Sequence, residues 1–463
     1  MLRRLARHFA EMCWGCGVEL QVADPQAAGY IPQNKFKNLL KQNKQKTQLE
    51  SQLKYHESIK LKDFKHEEVN EVNEIEERVK TAIPVHSINH KSESKALTCM
   101  RCFQLSKYKK IPSVKASSLD PKELFESIQP NSVVLKVVDL LDFEGTLRED
   151  VFDLIQQKNC KCILVPNKID ALPPGYKYER IHKWVKEVTR DKKDLKICVV
   201  SSKNGEGISK VINVLKKYKS ELPGAKFYVV GATNTGKSSF LNKLSKACGK
   251  HPWESGRTEL TTSELPNTTL GTVGVRLKSL GMKLLDTPGI PPAEKVQSLL
   301  EDPHVLMKLV PQKKASPMIL SARMGFSFWI GALARLDFLE GQEKLLSFFT
   351  PCTVHKTKTE LAESVYQRQA GKLLSPAYST QQDFGKCLLE VPCEDSKKAS
   401  YDISIPGIGW VSFTGRGNCS VDVHTPQGLP VYLRPSIMPF EARRERLFNN
   451  KGKTLNIRKW NQG

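Results

Sequence analysis

Acidic residues are in short supply: 49 Asp and Glu against 72 Lys and Arg leave a formal charge of +23 on 463 residues. Solubility alone does not call for that excess. It points to a polyanionic partner, with nucleic acid ahead of acidic protein or peripheral association with a membrane surface, and a solvated lysine-rich surface is the plainer alternative. Long apolar runs are also lacking. The best stretch, residues 326–339, is interrupted by Arg335 and falls short of the ~18 residues a spanning helix needs, so no transmembrane segment is expected. A secretory signal with a long apolar centre is absent as well. The twelve cysteines therefore fit a reducing compartment better than a secreted disulfide framework. No acid precedes Glu11, while Leu2, Leu5 and Phe9 face away from Arg3, Arg4, Arg7 and His8 on a helical wheel. That pattern resembles a short mitochondrial presequence, although Cys13, a candidate metal ligand, follows almost at once.

The length suits roughly three domains of ~150 residues, and the 39% hydrophobic content supplies several cores. Residues 34–95 contain no glycine and a single proline, Pro84, amid Lys, Glu, Gln and Asn. They read as a lysine-rich insertion, helical or disordered, acting as a solvated spacer. From Pro130 the texture changes to short β-branched runs at 132–139, 160–166, 196–200, 227–230 and 282–285, with amphipathic stretches at 180–189 and 208–219 between them. Buried strands alternating with helices predict an α/β domain on a mainly parallel sheet, ending near residue 300. Beyond it, 326–339, 401–414 and 420–433 read as strands with Gly and Pro punctuation, which predicts an α+β domain.

The strongest motif is GATNTGKS: Gly231, Ala232, Thr233, Asn234, Thr235, Gly236, Lys237 and Ser238, with Ser239 next on the following helix. It stands after an apolar strand and before that helix, the setting a P-loop requires. Phosphate oxygens need backbone N–H donors on a tight path, which glycines permit, and the helix N-terminus adds its dipole. Lys237 would neutralise the β- and γ-phosphates, and Ser238 would offer its hydroxyl to magnesium. Downstream, 283–289 reads KLLDTPG; Asp286 is expected to hold magnesium through water and the Gly289 N–H to meet the γ-phosphate. Between these motifs lies PNTTL at 266–270. Thr269, with Thr268 second, is the candidate to reach magnesium, and a plain loop is the alternative. Asn234 either helps seat a monovalent cation, potassium, between the phosphates or braces the loop. Ile290 follows the DTPG turn where many GTPases carry a water-orienting glutamine, so slow intrinsic hydrolysis is expected.

Residues 167–170 read NKID after the strand CILVP. Asp170 can accept from both guanine N1–H and the N2 amine, whereas adenine offers neither donor. Asn167 would brace the loop and Lys168 would lay its stem along the base. Ser201, Ser202 and Lys203 read SSK after a second strand, where backbone N–H groups could meet guanine O6. In ordinary GTPases these base-reading motifs follow the P-loop; here they precede it, and after Gly289 only NKGK at 450–453, lacking the acid, comes close. A circular permutation preserves the sheet and moves the chain ends, so that the switch region leads directly into the C-terminal domain.

Cys13 with Cys16 and Cys99 with Cys102 form two CxxC knuckles. Four thiolates suit a tetrahedral zinc if the insertion loops out, and redox-active or unpaired thiols are the alternative. Cys160, Cys162 and Cys198 fall in core strands and read as packing residues. The remaining cysteines lack knuckle spacing.

CWGCGVELQ, CMRCFQL, the order NKID, SSK, GATNTGKSS, DTPG, and the later FSFWIGALARLD together resemble the YqeH-type circularly permuted GTPases, and within them the eukaryotic organellar branch called nitric oxide-associated protein. The resemblance spans nearly the whole chain outside 34–95. It implies a zinc-knuckle module (1–33 and 96–120), a circularly permuted P-loop GTPase domain (121–300) and a C-terminal α+β RNA-binding domain (301–463). It also implies GTP, magnesium and zinc as cofactors, rRNA and the small ribosomal subunit as partners, and a mitochondrial matrix location ahead of plastid or cytoplasm. Asn267 departs from the glycine usual in the family before the double threonine. Nothing in the residues looks like a haem, flavin or arginine site. The tail supplies Arg443, Arg444, Arg446, Lys451, Lys453, Arg458 and Lys459 with Phe448 and Trp460, a mixture suited to phosphates and stacked bases or to a solvated end. No pattern in the sequence specifies an oligomeric state.

Overall fold

The computed structural model describes residues 13, 16–25, 27–35, 98–108, 120–192, 194–249, 272–290, 296–300, 308–309, 314–378, 382–427, 429–438, 447–448 and 454–455. The presequence-like stretch, nearly all of the 34–95 insertion, Asn267, Thr268, Thr269 and the tail cations lie outside the described residues. Phe448 falls within a two-residue strand, Leu447–Phe448, paired with Thr454–Leu455. The described residues fall in two compact units, one within Met1–Lys115 and the other within Ala116–Gly249 and Thr262–Gly463. Among them no helix is long and apolar enough to cross a membrane.

In the first unit a short turn carries the first knuckle, and the helix Met100–Tyr108 carries the second. The two segments are joined where Met100 N donates to Tyr30 O at 2.8 Å.

The second unit begins with a six-stranded sheet. Its strands are β1 (Val133–Asp139), β2 (Lys161–Asn167), β3 (Lys196–Ile197), β4 (Phe227–Gly231), β5 (Val273–Leu277) and β6 (Met282–Asp286), in the order β3-β2-β1-β4-β6-β5. All pairs are parallel except β5 with β6. Continuous β-branched runs suit strands covered on both faces, and all seven residues of β1 are buried. The covering helices show apolar residues at i, i+3 and i+4 spacing: Val151, Phe152 and Ile155 in Glu149–Gln157, Ile181, Trp184 and Val185 in Tyr178–Val188, and Val211, Leu215 and Tyr218 in Ile208–Glu221. The strand read at 196–200 is only two residues long, because beyond Ile197 the pairing runs as separate backbone bonds from Cys198 N to Leu164 O and from Val200 N to Pro166 O. From β1 the order runs to β2 on one side and to β4 on the other. That reversal opens a crevice at the carboxyl ends of the parallel strands, where ligands of such sheets bind.

The rest of the second unit is strand-rich. Two five-stranded antiparallel sheets are built from β7 (Met318–Ala322), β8 (Phe326–Ile330), β9 (Ala334–Gly341), β10 (Lys344–Phe349), β11 (Val354–Lys358), β12 (Phe384–Val391), β13 (Ala399–Ile405), β14 (Gly409–Thr414), β15 (Cys419–Pro426) and β16 (Tyr432–Pro435). Each of the three stretches read as strand is two strands; Gly331 (φ 58°) and Gly407 (φ 82°) turn the first two. Phe328, Phe338, Phe348, Ile403, Phe413 and Val421 form the core of these sheets. Among the described residues the helix of this region is Ala362–Gln369, which covers Trp329: Tyr366 stacks on the indole at 4.8 Å, and the indole N–H donates to Ala362 O at 3.1 Å. A second core runs beneath both sheet systems, combining Phe143, Trp184 and Tyr228 with Phe349, Trp410, Ile437 and Met438.

Candidate functional site

β4 ends at Gly231, and the chain turns through Asn234 (φ 62°) and Gly236 (φ 86°) into the helix Lys237–Ala247. Close approach explains both glycines. A Cβ on Gly231 would lie 2.3 Å from Val137 O, and one on Gly236 would lie 2.5 Å from Asn167 Nδ2. Lys237 Nζ donates to Gly231 O at 2.9 Å and Ala232 O at 3.0 Å. Burial pushes its ammonium down to about 8, with the Asp286 carboxylate pulling the other way. Asp286 is wholly buried at the end of β6, in register with Val229 of β4.

The DTPG turn is fastened to the P-loop by the backbone. Thr287 N donates to Val229 O at 3.2 Å, Ile290 N to Gly231 O at 3.1 Å, and Thr233 N to Ile290 O at 3.0 Å. A Cβ on Gly289 would stand 2.9 Å from Thr233 Cγ2 and 3.2 Å from Lys237 Nζ. Lys237, Ser238, Asp286 and Gly289 are thereby gathered at one strand-end crevice. A cation, a hydroxyl, a buried carboxylate and close-approach glycines around a helix N-terminus fit a magnesium-bound phosphate chain. Ile290, by contrast, is 1% exposed and packed into the core; its side chain has no polar atom with which to orient water.

The base-reading motifs meet the P-loop through Asn167. Its Nδ2 donates to Thr235 O at 2.9 Å, while its Oδ1 accepts from Ser202 N at 3.1 Å and Ser202 Oγ at 2.8 Å. Ser201 Oγ donates to Asp170 Oδ1 at 2.5 Å and accepts from Lys203 N at 3.2 Å and Asn204 N at 3.0 Å. A base using the Ser202 and Lys203 amides would have to take them over from Asn167 and Ser201. Lys168, at φ 70°, sends its Nζ to Asp139 Oδ2 at 2.6 Å.

Two partners were not among the residues read from sequence. Asp139 closes β1, and its signal was present: an acid ending the apolar run VVLKVVD at a strand's carboxyl end. Lys243 belongs to no motif; its Nζ donates to Lys203 O at 3.2 Å and so ties the phosphate helix to the SSK turn. Asn234 is exposed within the loop. The threonine pair at 268–269 lies outside the described residues.

The four knuckle thiols also converge. Cys13 and Cys102 Sγ are 3.8 Å apart, as are Cys16 and Cys99, and all four sulfurs lie within 4.8 Å of one another, buried. A disulfide would need ~2.05 Å. Four thiolates ~2.3 Å from a tetrahedral zinc would be separated by ~3.8 Å, so the donor set fits a closed structural zinc site. Gly17, at φ 74°, lets its N–H reach back to Cys13 O at 2.8 Å, and Cys99 N donates to Cys13 Sγ at 3.2 Å.

Residues 226–319 match the family described as 50S ribosome-binding GTPase, residues 344–437 the YqeH-like C-terminal domain, and residues 12–112 the N-terminal domain of genetic interactor of prohibitins 3. The Bacillus subtilis protein YqeH is 31% identical over 347 residues, covering 73% of this chain and 90% of its own. "NO-associated protein 1, chloroplastic/mitochondrial" of Arabidopsis thaliana is 29% identical, covering 74% of this chain and 70% of its own. Human "Nitric oxide-associated protein 1" is 22% identical, with 92% and 75% covered. With a P-loop, an acid-bearing DTPG turn and base-reading motifs gathered on one sheet in permuted chain order, and YqeH matched over nine-tenths of its length, the chain belongs to the YqeH-type family of circularly permuted, GTP-binding P-loop GTPases.

Proposed function

We propose that this chain is a GTP-hydrolysing switch acting in assembly of the small ribosomal subunit inside an organelle, with mitochondria ahead of plastids. The observation that carries the guanine-nucleotide reading is the bracing of NKID, SSK and GATNTGKS by the single side chain of Asn167. Three segments apart in sequence form one rim, which suits a ligand that spans base and phosphates.

In this reading Asp170 accepts from guanine, Lys168 lies along the base, Lys237 exchanges its loop carbonyls for phosphate oxygens, and Ser238 with Asp286 holds magnesium. Magnesium supplies charge neutralisation across the β- and γ-phosphates. Gly289 meets the γ-phosphate, Thr269 closes the switch loop, and Asn234 seats potassium. Because Ile290 is buried in the core, hydrolysis is slow until potassium or a partner supplies transition-state charge. The four cysteines hold structural zinc. The +23 charge favours rRNA as the partner, with contacts in the C-terminal region, and the words "chloroplastic/mitochondrial" in the Arabidopsis relative's name favour an organelle.

The family matched by 226–319 is described by the 50S subunit, so the test uses both subunits. Phosphate release is measured with GTP or ATP, in potassium or sodium, with small or large subunits added. Turnover of GTP alone, raised by potassium and by small subunits, is the expected result. Stimulation by large subunits only would overturn the small-subunit assignment. Binding of GTP without turnover in any condition would support a zinc- and RNA-binding scaffold, a reading to which the apolar Ile290 lends weight.

A further inference from the structure

The base-reading loop and the C-terminal sheets are both tied to one short segment, residues 139–146. At one end Asp139 Oδ2 accepts from Lys168 Nζ of the NKID loop at 2.6 Å. Asp139 is locked to its own segment: Oδ1 accepts from Leu141 N at 3.0 Å, and its N–H donates to Thr146 Oγ1 at 2.9 Å. Thr146 Oγ1 in turn donates to Asp142 O at 2.7 Å. At the other end Asp142 Oδ1 accepts from Gly407 N at 3.2 Å. Glu144 accepts from Arg434 Nη1 at 2.6 and 2.7 Å and from Ser404 Oγ at 2.9 Å. Arg434 is itself 3.7 Å from the buried Asp402 and lies over the rings of Trp184 and Trp410.

We propose that Asp139 is a positioning residue for Lys168 and that residues 139–146 couple guanine-nucleotide binding to the docking of the C-terminal sheets on the parallel-sheet region. This rests on the guanine reading above and deepens it. Turnover of the switch loop acts through the γ-phosphate, whereas this route acts through the base and is engaged equally by GDP and GTP. The physical reason is shared anchorage. Holding Lys168 along a base fixes Asp139, the bonds through Leu141 and Thr146 leave the short helix Phe143–Leu147 little freedom, and that helix carries Glu144. By linkage the effect is reciprocal: a partner that pulls the C-terminal sheets off Glu144 loosens the base, and a bound base tightens the docking.

The test uses the full chain. Hydrogen exchange of the Gly407 amide, in the Ile405–Gly409 turn, is followed with no nucleotide, with GDP and with ADP. GDP, and not ADP, is expected to slow it. Asp139→Asn keeps an acceptor for Leu141 N but loses the charge opposite Lys168. It is expected to weaken GDP and GTP alike by roughly 5- to 10-fold, to raise KM with kcat unchanged, and to abolish the GDP-induced protection at Gly407. Asp139→Glu should restore part of each. Glu144→Gln is expected to weaken GDP by a similar factor, with Ser404→Ala giving a smaller loss in the same direction if Glu144→Gln does not fold. GDP binding with unchanged exchange at Gly407, or equal GDP affinity in wild type and the variants, overturns the coupling and leaves the guanine reading standing. No binding of GDP by the wild-type chain overturns both.

Discussion

The parallel-sheet region and the two-sheet region bury polar groups in different ways. In the former, Asp139, Asn167 and Asp286 sit at strand ends around one crevice. In the latter, buried carboxylates lie on sheet faces, away from that crevice, and meet hydroxyls, amides and cations of neighbouring strands. Asp402 accepts from Ser412 Oγ at 2.5 Å and Ile437 N at 3.0 Å, and Asp337 meets His424 Nε2 at 2.8 Å and Arg335 Nε at 3.0 Å. Burial pushes the Asp402 carboxyl above its ordinary range, with Arg434 pulling it back. In the proposed reading the strand-end groups are aimed at a nucleotide, whereas face groups fix which strands and layers meet. Substitutions in the first set should cost binding, and in the second, stability.

The largest effect is expected where the aimed groups and the fold are the same thing. Stripping the proposed zinc from the cysteine cluster, or making Cys99→Ser, should unfold the first unit, since a structural zinc contributes on the order of 10 kcal/mol. Zinc content with hydrogen exchange across 16–31 reads this out; native protection in a zinc-free sample would contradict it. Next, Arg434→Met should lower urea stability by about 3–5 kcal/mol, because it leaves the buried Asp402 and the half-buried Glu144 without their cation. A loss under about 1 kcal/mol would break the contrast. Asp170→Asn should do the opposite: urea stability within about 0.5 kcal/mol of wild type, and GTP affinity down by at least roughly 100-fold.

The smallest effect concerns Lys136, wholly buried in β1, whose Nζ donates to Arg148 O at 2.9 Å over the Phe152 ring. Burial pushes its ammonium down to about 7 from 10.5. Between those values the unfolded chain binds a proton that the folded chain does not, so this group's contribution to stability is complete above the unfolded value and is lost as pH falls through the folded one. The wild type should therefore gain on Lys136→Met by about 1 kcal/mol per pH unit between pH 7.5 and 9.5. Parallel stability curves would show that the lysine keeps its charge on folding.

The phosphate and base motifs were legible because each is contiguous and each stands at a strand end. Gly231, Gly236 and Asn167 could be assigned work from motif and strand context, and the short, continuous β-branched runs announced a sheet covered on both faces. The four-cysteine cluster was legible for the same reason, each knuckle being local even though Cys13 and Cys102 are 89 residues apart. The seam was not. Glu144 and Arg434 are 290 residues apart, belong to no motif, and acquire their meaning only when β16 lies beside the helix Tyr178–Val188, where Trp184 Nε1 donates to Pro435 O at 2.8 Å. Asp139 stood between the two cases: its strand-end position was readable, but its partner Lys168 had been given to the base alone. Each of the three C-terminal stretches read as one strand is two: the first two are hairpins reversed at Gly331 and Gly407, and the third splits into β15 and β16, which belong to different sheets.

The most direct test of the guanine-nucleotide site is calorimetric titration of the intact protein, with magnesium, by GDP and then by ADP. The account predicts GDP binding at one site and ADP binding at least roughly 100-fold weaker, since adenine offers Asp170 neither of the two donors that guanine presents. Equal affinity for the two, or binding of neither, would contradict it.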